Sequence, residues 1–339
     1  MIQPPGANSA DYMNNTRTIS EYLSINGIQY EEKFQMSRIS YLKIGGIVPY
    51  LVTPDSLDKY IGLIRFLQES GISFKVMGNL SNCMFTDAYI DRVIVLTKKI
   101  NGYQFKENEI SAQAGLMLPA FVNILVNRQI AGFEGLYGIP GTIGGAIYTN
   151  AGACGNEISD HLMGIACLNK DGNIVEVTRE QACYGFRSSI FQSSNEYTIV
   201  SARFKLINGD KNEINAKLHK CNYHRRTYQE NEFPYLGSLF KTMNIYKEIA
   251  KTNTLYGILL WPIMKIGKLL GKYQAVVLVP LTVRYFNIKY EGKKPYSDKA
   301  LNFLVNRGDL TFDKAIKYID NIKKLIKNSV DLEIEIIDK

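Results

Sequence analysis

The sequence predicts an α+β protein built from more than one compact unit, and three observations carry that reading. At 339 residues the chain exceeds one comfortable hydrophobic core. A βαβ pattern over residues 50–77 is followed, from Glu107 to Leu206, by mostly strand-like segments. From Asn208 onward the composition shifts toward helix and lysine, which marks a boundary.

In chain order, residues 1–19 are polar, with Pro4-Pro5-Gly6 and Asn14-Asn15, and read as a loose extension. Ile19 to Gln35 fits a short helix and a strand, and Tyr50 to Pro54 is β-branched and alternating. Ser56 is placed to cap a helix whose apolar residues Leu57, Tyr60, Ile61, Leu63, Ile64 and Leu67 form one stripe, ended by Gly71. Ile72 to Met77 is the next strand. Glu107–Ala114 alternates as a strand, Pro119–Ile130 is an apolar helix, and His161–Cys167, Gly172–Val177 and Glu196–Leu206 read as strands of a mixed sheet. Residues 212–231 look like a basic helix, and Thr311 caps a helix running to Ile326.

The chain is organised around Gly135 to Asp160, which holds seven glycines in twenty-six residues and almost no charge until its end. Glycine reaches positive φ without steric cost and lets backbone N–H groups converge on a phosphate or a flat ring. A run of tight turns in a β-rich domain is the other reading of glycine count alone. The stretch is not the dinucleotide fingerprint G-x-G-x-x-G, because no strand-to-helix βαβ unit surrounds it.

The net charge is +8, with Lys217, Lys220, Arg225, Arg226, Lys265, Lys268 and Lys272 in the second half. Nucleic acid, an acidic small substrate and a solvated helix face are the readings of such charge; no nucleic-acid motif accompanies it, so no nucleic acid is expected as a partner. Cysteines 83, 154, 167, 183 and 221 are odd in number and never in a C-x-x-C pair. This indicates neither a disulfide framework nor a zinc site, and points to a cytoplasmic protein. His161, His219 and His224 share no metal-ligand spacing, so no metal is expected. The apolar run Leu255–Met264, with the one tryptophan and lysines after it, fits a buried helix, a dimer contact or, over 255–272, a weak membrane-surface contact. The protein is expected to be a monomer or homodimer.

The order of residues in the glycine-rich core adds a resemblance. Gly138-Ile139-Pro140-Gly141-Thr142-Ile143-Gly144-Gly145-Ala146, then Asn150-Ala151-Gly152-Ala153, closely resembles the flavin-binding core of the UDP-N-acetylenolpyruvoylglucosamine reductase (MurB) family. Gly78-Asn79-Leu80-Ser81-Asn82 is similar to that family's G-x-G-S-N turn, with Leu80 at the second glycine. If this position needs positive φ, leucine costs on the order of 1–2 kcal/mol there. Tyr184-Gly185-Phe186-Arg187-Ser188-Ser189-Ile190-Phe191 is similar to Y-G-Y-R-x-S-x-F, with Phe186 for tyrosine. Arg225, Arg226 and Gln229 stand where the family has R-x-x-x-Q-P. Pro234 to Lys241 matches P-x-x-G-S-x-F-K, with Thr242-Met243 in place of Asn-Pro. Ser297 to Asn306 is like S-x-K-H-A-N-F-x-x-N, with Ala300 for histidine, and Leu332-Glu333-Ile334-Glu335-Ile336 is similar to L-E-P-E-V.

The resemblance spans roughly residues 38–339 with one insertion around 244–290. It implies a two-part FAD-binding domain of the vanillyl-alcohol oxidase/PCMH type and a C-terminal α/β substrate-binding domain. The expected divisions are 20–97, 98–210 with the C-terminal strand 331–339, and 211–330. It implies FAD and NADPH as cofactors and a UDP-sugar as substrate, reduced from the enolpyruvate ether to UDP-N-acetylmuramate for peptidoglycan. It implies catalytic roles for Arg187, Ser238 and Glu335; cofactor contacts from Gly78, Asn79, Ser81, Asn82, Gly138, Ile139, Pro140, Gly141, Thr142, Gly144, Gly145, Asn150 and Gly152; and substrate contacts from Arg225, Gln229, Lys241, Ser297 and Asn302. The chemistry permits these roles. A guanidinium stabilises charge developing on a carboxylate, a fixed hydroxyl delivers a proton, and a carboxyl group held in a dry pocket polarises the substrate from the other side. A flavin-dependent paralogue acting on another sugar nucleotide, or a non-catalytic flavin-binding scaffold, are the competing readings.

Overall fold

The computed structural model describes residues 19–267 and 277–338. The extension read over residues 1–19 therefore lies, but for Ile19, outside the described residues, as do Lys268 and Lys272. A helix over 19–25 (α1) precedes β1 (Gln29–Gln35), which pairs antiparallel with β2 (Ile47–Thr53). In α2 (Leu57–Glu69) the Ser56 hydroxyl accepts from the Lys59 amide at 3.3 Å, and Tyr60, Leu63, Ile64 and Leu67 form the buried stripe. Next come β3 (Phe74–Met77), β4 (Cys83–Phe85) and β5 (Val93–Leu96). The first sheet runs β1-β2-β5-β3, with β5 parallel to both neighbours. All four residues of β5 are buried, as a parallel central strand requires.

The second unit opens with β6 (Tyr103–Lys106), β7 (Glu109–Gln113) and α3 (Leu118–Asn127). α3 stops short of the expected Ile130 because Gln129 turns to φ +59°. After α4 (Ile143–Thr149) come β8 (Gly152–Ala153), β9 (Asn156–Glu157), β10 (Leu162–Leu168), β11 (Ile174–Thr178), α5 (Ile190–Ser193) and β12 (Thr198–Lys205). The second sheet, β11-β10-β12-β7-β6, is antiparallel at every pairing rather than mixed as the sequence suggested. Hairpins make the β6-β7 and β10-β11 pairs, and no neighbour is reached by the helical crossover a parallel pair needs.

The third unit comprises α6 (Lys211–Tyr228), β13 (Tyr235–Ser238), α7 (Ile245–Thr252), α8 (Thr254–Gly267), α9 (Val279–Tyr285), β14 (Phe303–Val305) and α10 (Phe312–Leu325). Asp210 caps α6 and Thr311 caps α10. The insertion is packed on this core: Tyr246, Ile249, Tyr256 and Leu260 are buried in it, and the Tyr256 hydroxyl bonds that of Thr282. Leu255, Ile258 and Trp261 of α8 stay exposed on the other side. Among the described residues no helix is long and apolar enough to cross a membrane.

Last, β15 (Glu335–Ile337) lies parallel to β4. The C-terminal strand, expected to go with residues 98–210, thus pairs with β4 in a two-stranded sheet of its own. Asn82 explains the choice. Its carbonyl accepts from the Glu335 amide and its side-chain Nδ2 donates to the Glu333 carbonyl, each at 2.9 Å, while Ile337 enters the cluster around Phe85 and Leu51.

Candidate active site

A cavity of about 1680 Å³ lies between the three units. That exceeds the roughly 300–1,000 Å³ of a single small-ligand site. Its floor is two glycine-rich pieces held face to face. A Cβ on Gly78 would sit 2.3 Å from the Thr142 hydroxyl, so only glycine lets the 78–82 turn close against the start of α4. Asn79 fastens the pieces together, its Nδ2 donating to the Pro140 carbonyl at 2.7 Å and the Tyr41 hydroxyl at 2.6 Å. Asn79 and Asn82 thus spend their side chains on the architecture of the turn.

Leu80 has φ +59°, the left-handed conformation in which a leucine is strained. It is 4% exposed and packs in one apolar cluster with Met77, Phe85, Ile90 and Leu96. Burial offsets the strain, because enclosing a leucine is worth about 1.5–3 kcal/mol. The glycine-rich core is not only turns: Gly144 and Gly145 lie in α4, where Gly144 abuts Ala114. Asn150 ends that helix in the left-handed conformation that asparagine tolerates.

Arg187, Ser238 and Glu335 all line this cavity. Arg187 sits at φ +53° in a tight turn closed by Gly185 and Ser188. Its Nε meets the Glu333 carboxylate at 2.9 Å, Nη1 donates to the Asn150 carbonyl at 3.3 Å and Nη2 to that of Gly152. Of five N–H donors, one on each terminal nitrogen has no partner among the described residues, a pair suited to a carboxylate. Burial holds the Glu333 carboxyl above the usual range, with Arg187 pulling it back down. Ser238 ends β13 after a bulge at Gly237, whose φ of +82° only glycine adopts freely. Asn302 sets that strand, its Oδ1 accepting from the Phe240 amide at 3.0 Å and its Nδ2 donating to the Phe240 carbonyl at 3.3 Å. Glu335 does not sit alone in a dry pocket: its Oε1 pairs with Lys75 at 2.5 Å and accepts from the Tyr148 hydroxyl at 3.2 Å. Burial and the neighbouring carboxylate raise the Tyr148 phenol, so it stays a donor.

The basic charge of α6 faces inward. Lys217, Lys220, His224, Arg225 and Tyr228 recur at helical spacing along the cavity wall. Arg225 is held below the usual guanidinium range by burial; its Nη1 donates to Gln229 Oε1 at 3.1 Å, and its buried Nε meets no acceptor among the described residues. A buried cation with a spare donor calls for an anion.

Of the other expected residues, Gly78, Asn79, Ser81, Asn82, Ile139, Pro140, Gly141, Thr142, Gly144, Gly145, Gly152, Arg225 and Gln229 line the cavity. Gly138, Asn150, Lys241, Ser297 and Asn302 do not. Gly138 backs onto the Arg225 side chain. Asn150 ties Glu157 to the Gly185 carbonyl. Ser297 is fully buried and donates to Glu230 at 2.5 Å, while Lys241 reaches Gln192. Asn150, Ser297 and Asn302 spend their polar side chains on bonds within the protein, whereas the Lys241 ammonium lies near enough to Glu333 to pull its carboxyl down. Sequence reasoning passed over Lys75, Tyr148 and Glu333. The Glu333-x-Glu335 alternation, which puts both carboxylates on one side of an extended chain, was the available signal for the last.

A deep cavity floored by glycine turns, with cations facing carboxylates, suits an enzyme that holds a flavin, and the relatives of this chain put it among the flavin-dependent oxidoreductases. The FAD binding domain family profile matches residues 48–178. The chain belongs to the UDP-N-acetylenolpyruvoylglucosamine reductase family: it is 33% identical over 297 residues to the Carboxydothermus hydrogenoformans enzyme of that name, covering 87% of this chain and 88% of that one. The Fervidobacterium nodosum relative is 28% identical over 96% of this chain and 97% of its own. The fold is similar to that of the reductase from Thermus caldophilus, with a TM-score of 0.67 at 20% identity, covering 91% of this chain and 98% of that one. The residues present fit a flavin: a Cβ at cavity-lining Gly141 would have nothing within 4 Å, leaving the backbone there open to a flat ligand.

Proposed function

We propose that this chain reduces UDP-N-acetylglucosamine enolpyruvate to UDP-N-acetylmuramate, with FAD as carrier and NADPH as reductant. One observation supports it most. Arg187, Ser238 and Glu335, far apart in sequence, line a single cavity together with Arg225, whose Nε has no acceptor among the described residues. The 78–82 turn and the 139–145 backbone would hold FAD, which when bound supplies the hydride for C3 of the enol ether.

The chain's own residues handle charge and protons. The two available donors of Arg187 bind the substrate carboxylate, where negative charge accumulates. Glu333 fixes the guanidinium in its strained turn, so the charge is oriented before substrate arrives. Ser238, aimed by the Gly237 bulge, delivers a proton to C2. Glu335, oriented by Lys75 and Tyr148, lines the same space and completes the polar surround of the reacting centre. Arg225 and the lysines of α6 meet the diphosphate.

The test is anaerobic. The flavin is reduced with NADPH, the enolpyruvyl sugar nucleotide is added, and recovery of oxidised flavin absorbance is followed. Prompt recovery in the wild type, with Ser238→Ala reduced normally but reoxidised slowly, is the expected result. Reduction without reoxidation in the wild type would overturn the substrate assignment.

A further inference from the structure

Two cysteines meet at the cavity wall. Cys154 belongs to the β8-β9 hairpin and Cys221 to the inward side of α6, and both line the space. Cys154 and Gly155 form the two-residue loop of the hairpin, with φ of +51° and +80°. The first position of such a loop favours Asn, Asp or Gly, because other side chains cost roughly 1–2 kcal/mol in that conformation. Turn preference therefore does not account for a cysteine here. The Cys154 thiol is exposed, whereas Cys221 is buried with the Cys154 thiol beside it. Burial, then that contact, pushes the Cys221 thiol up to about 12. Cys154 is accordingly the thiol an external reagent reaches first, and Cys221 the one that follows.

We infer that Cys154 and Cys221 are a reversible thiol pair that a low-molecular-weight disulfide converts to an intramolecular disulfide, fastening the β8-β9 hairpin to α6 at the cavity wall. The Cys154 thiolate attacks one sulfur of the small disulfide, forming a mixed disulfide and expelling one small thiolate. Cys221 then loses its proton and attacks the Cys154 sulfur, expelling the second. The two protein thiols are oxidised, the small disulfide is reduced to two thiols, and these take up the two protons. The bond links the hairpin, whose Gly152 carbonyl holds Arg187, to the helix carrying Arg225. The consequence for turnover, though not the bond itself, rests on the proposed reaction.

The holoenzyme is incubated with glutathione disulfide, digested without reduction and mapped by mass spectrometry, with turnover measured before treatment, after it, and after dithiothreitol. The expected result is a Cys154–Cys221 linked peptide, at least a tenfold loss of turnover, and recovery on reduction. Cys154→Ser, compared with its own untreated sample, keeps its turnover, and Cys221→Ser traps one glutathione on Cys154. Absence of the linked peptide, a linked peptide with unchanged turnover, or a Cys154→Ser protein as sensitive as the wild type would each overturn the inference. A linked peptide in a protein that never reduces the enolpyruvyl sugar upholds the pair and removes the proposed reaction instead.

Discussion

Replacing Leu80 by alanine and by glycine separates the two forces acting on the turn at the cavity floor. At an ordinary strand or helix position glycine is the worse substitute, by roughly 0.5–1 kcal/mol relative to alanine. At φ +59° the order inverts. Both variants lose the buried side chain, which in a core costs about 2–5 kcal/mol including the space left behind. Alanine also keeps the left-handed strain of about 1–2 kcal/mol, whereas glycine sheds it. Leu80→Ala is therefore expected to lose about 2–5 kcal/mol, and Leu80→Gly roughly 1 kcal/mol less. Urea unfolding followed by circular dichroism gives the stabilities, and flavin absorbance of the folded protein shows whether the turn keeps its shape. An alanine variant as stable as the glycine variant would refute the reasoning, and so would a glycine variant more stable than wild type.

Other expectations follow from the charges and bonds around the cavity. Because burial raises the Glu333 carboxyl, the folded protein binds that proton more tightly than the unfolded chain; the stabilisation is full below the ordinary value of 4.5 and is lost as pH rises through the raised one. In Arg187→Ala the downward pull is gone, so the loss extends further up the pH scale, and a stability–pH series in which Arg187→Ala/Glu333→Gln lacks the decline checks it. Lys75→Met removes the ammonium from Glu335 and should slow the substrate half-reaction about tenfold, the equivalent of about 1.4 kcal/mol, with Lys75→Arg restoring most of it in single-turnover measurements. Ser238→Ala should lower the same step by about 10²–10⁴ while leaving flavin reduction by NADPH intact. Asn302→Ala strips two bonds from the buried Phe240 backbone and should cost about 1–3 kcal/mol by thermal unfolding, with flavin content unchanged.

Local rules read much of this chain. Ser56 and Thr311 are caps with apolar stripes behind them, and the glycine-rich stretch announces a close backbone approach whatever it touches. The three residues assigned to catalysis stood out because each sits in a distinctive short motif. What sequence could not supply was pairing over distance. β15 finds β4 across some 250 residues through Asn82, and nothing in Leu332–Ile337 alone specifies a parallel partner. Lys75 carries no signal of its own within its strand, and only that pairing puts Glu335 beside it. The same blindness acts in reverse at Ser297 and Asn302. Polar residues in a motif look like ligand contacts, yet a buried polar group must be bonded somewhere, and here it is bonded to Glu230 and to the Phe240 backbone. Leu80 shows a third kind of limit, since its φ is legible only once the cluster holding it is known.

The exposed side of α8 gives the molecule an intrinsic optical probe. Trp261 is the one tryptophan of the chain and is 63% exposed, on a helix whose buried side is fixed by Tyr256 and Leu260. Its emission therefore reports water at that surface, while flavin absorbance reports the cavity. The two signals come from one sample in different spectral windows. A blue shift of the indole with the flavin band unmoved places an added lipid or protein on α8, and a flavin change with a still indole places a ligand in the cavity.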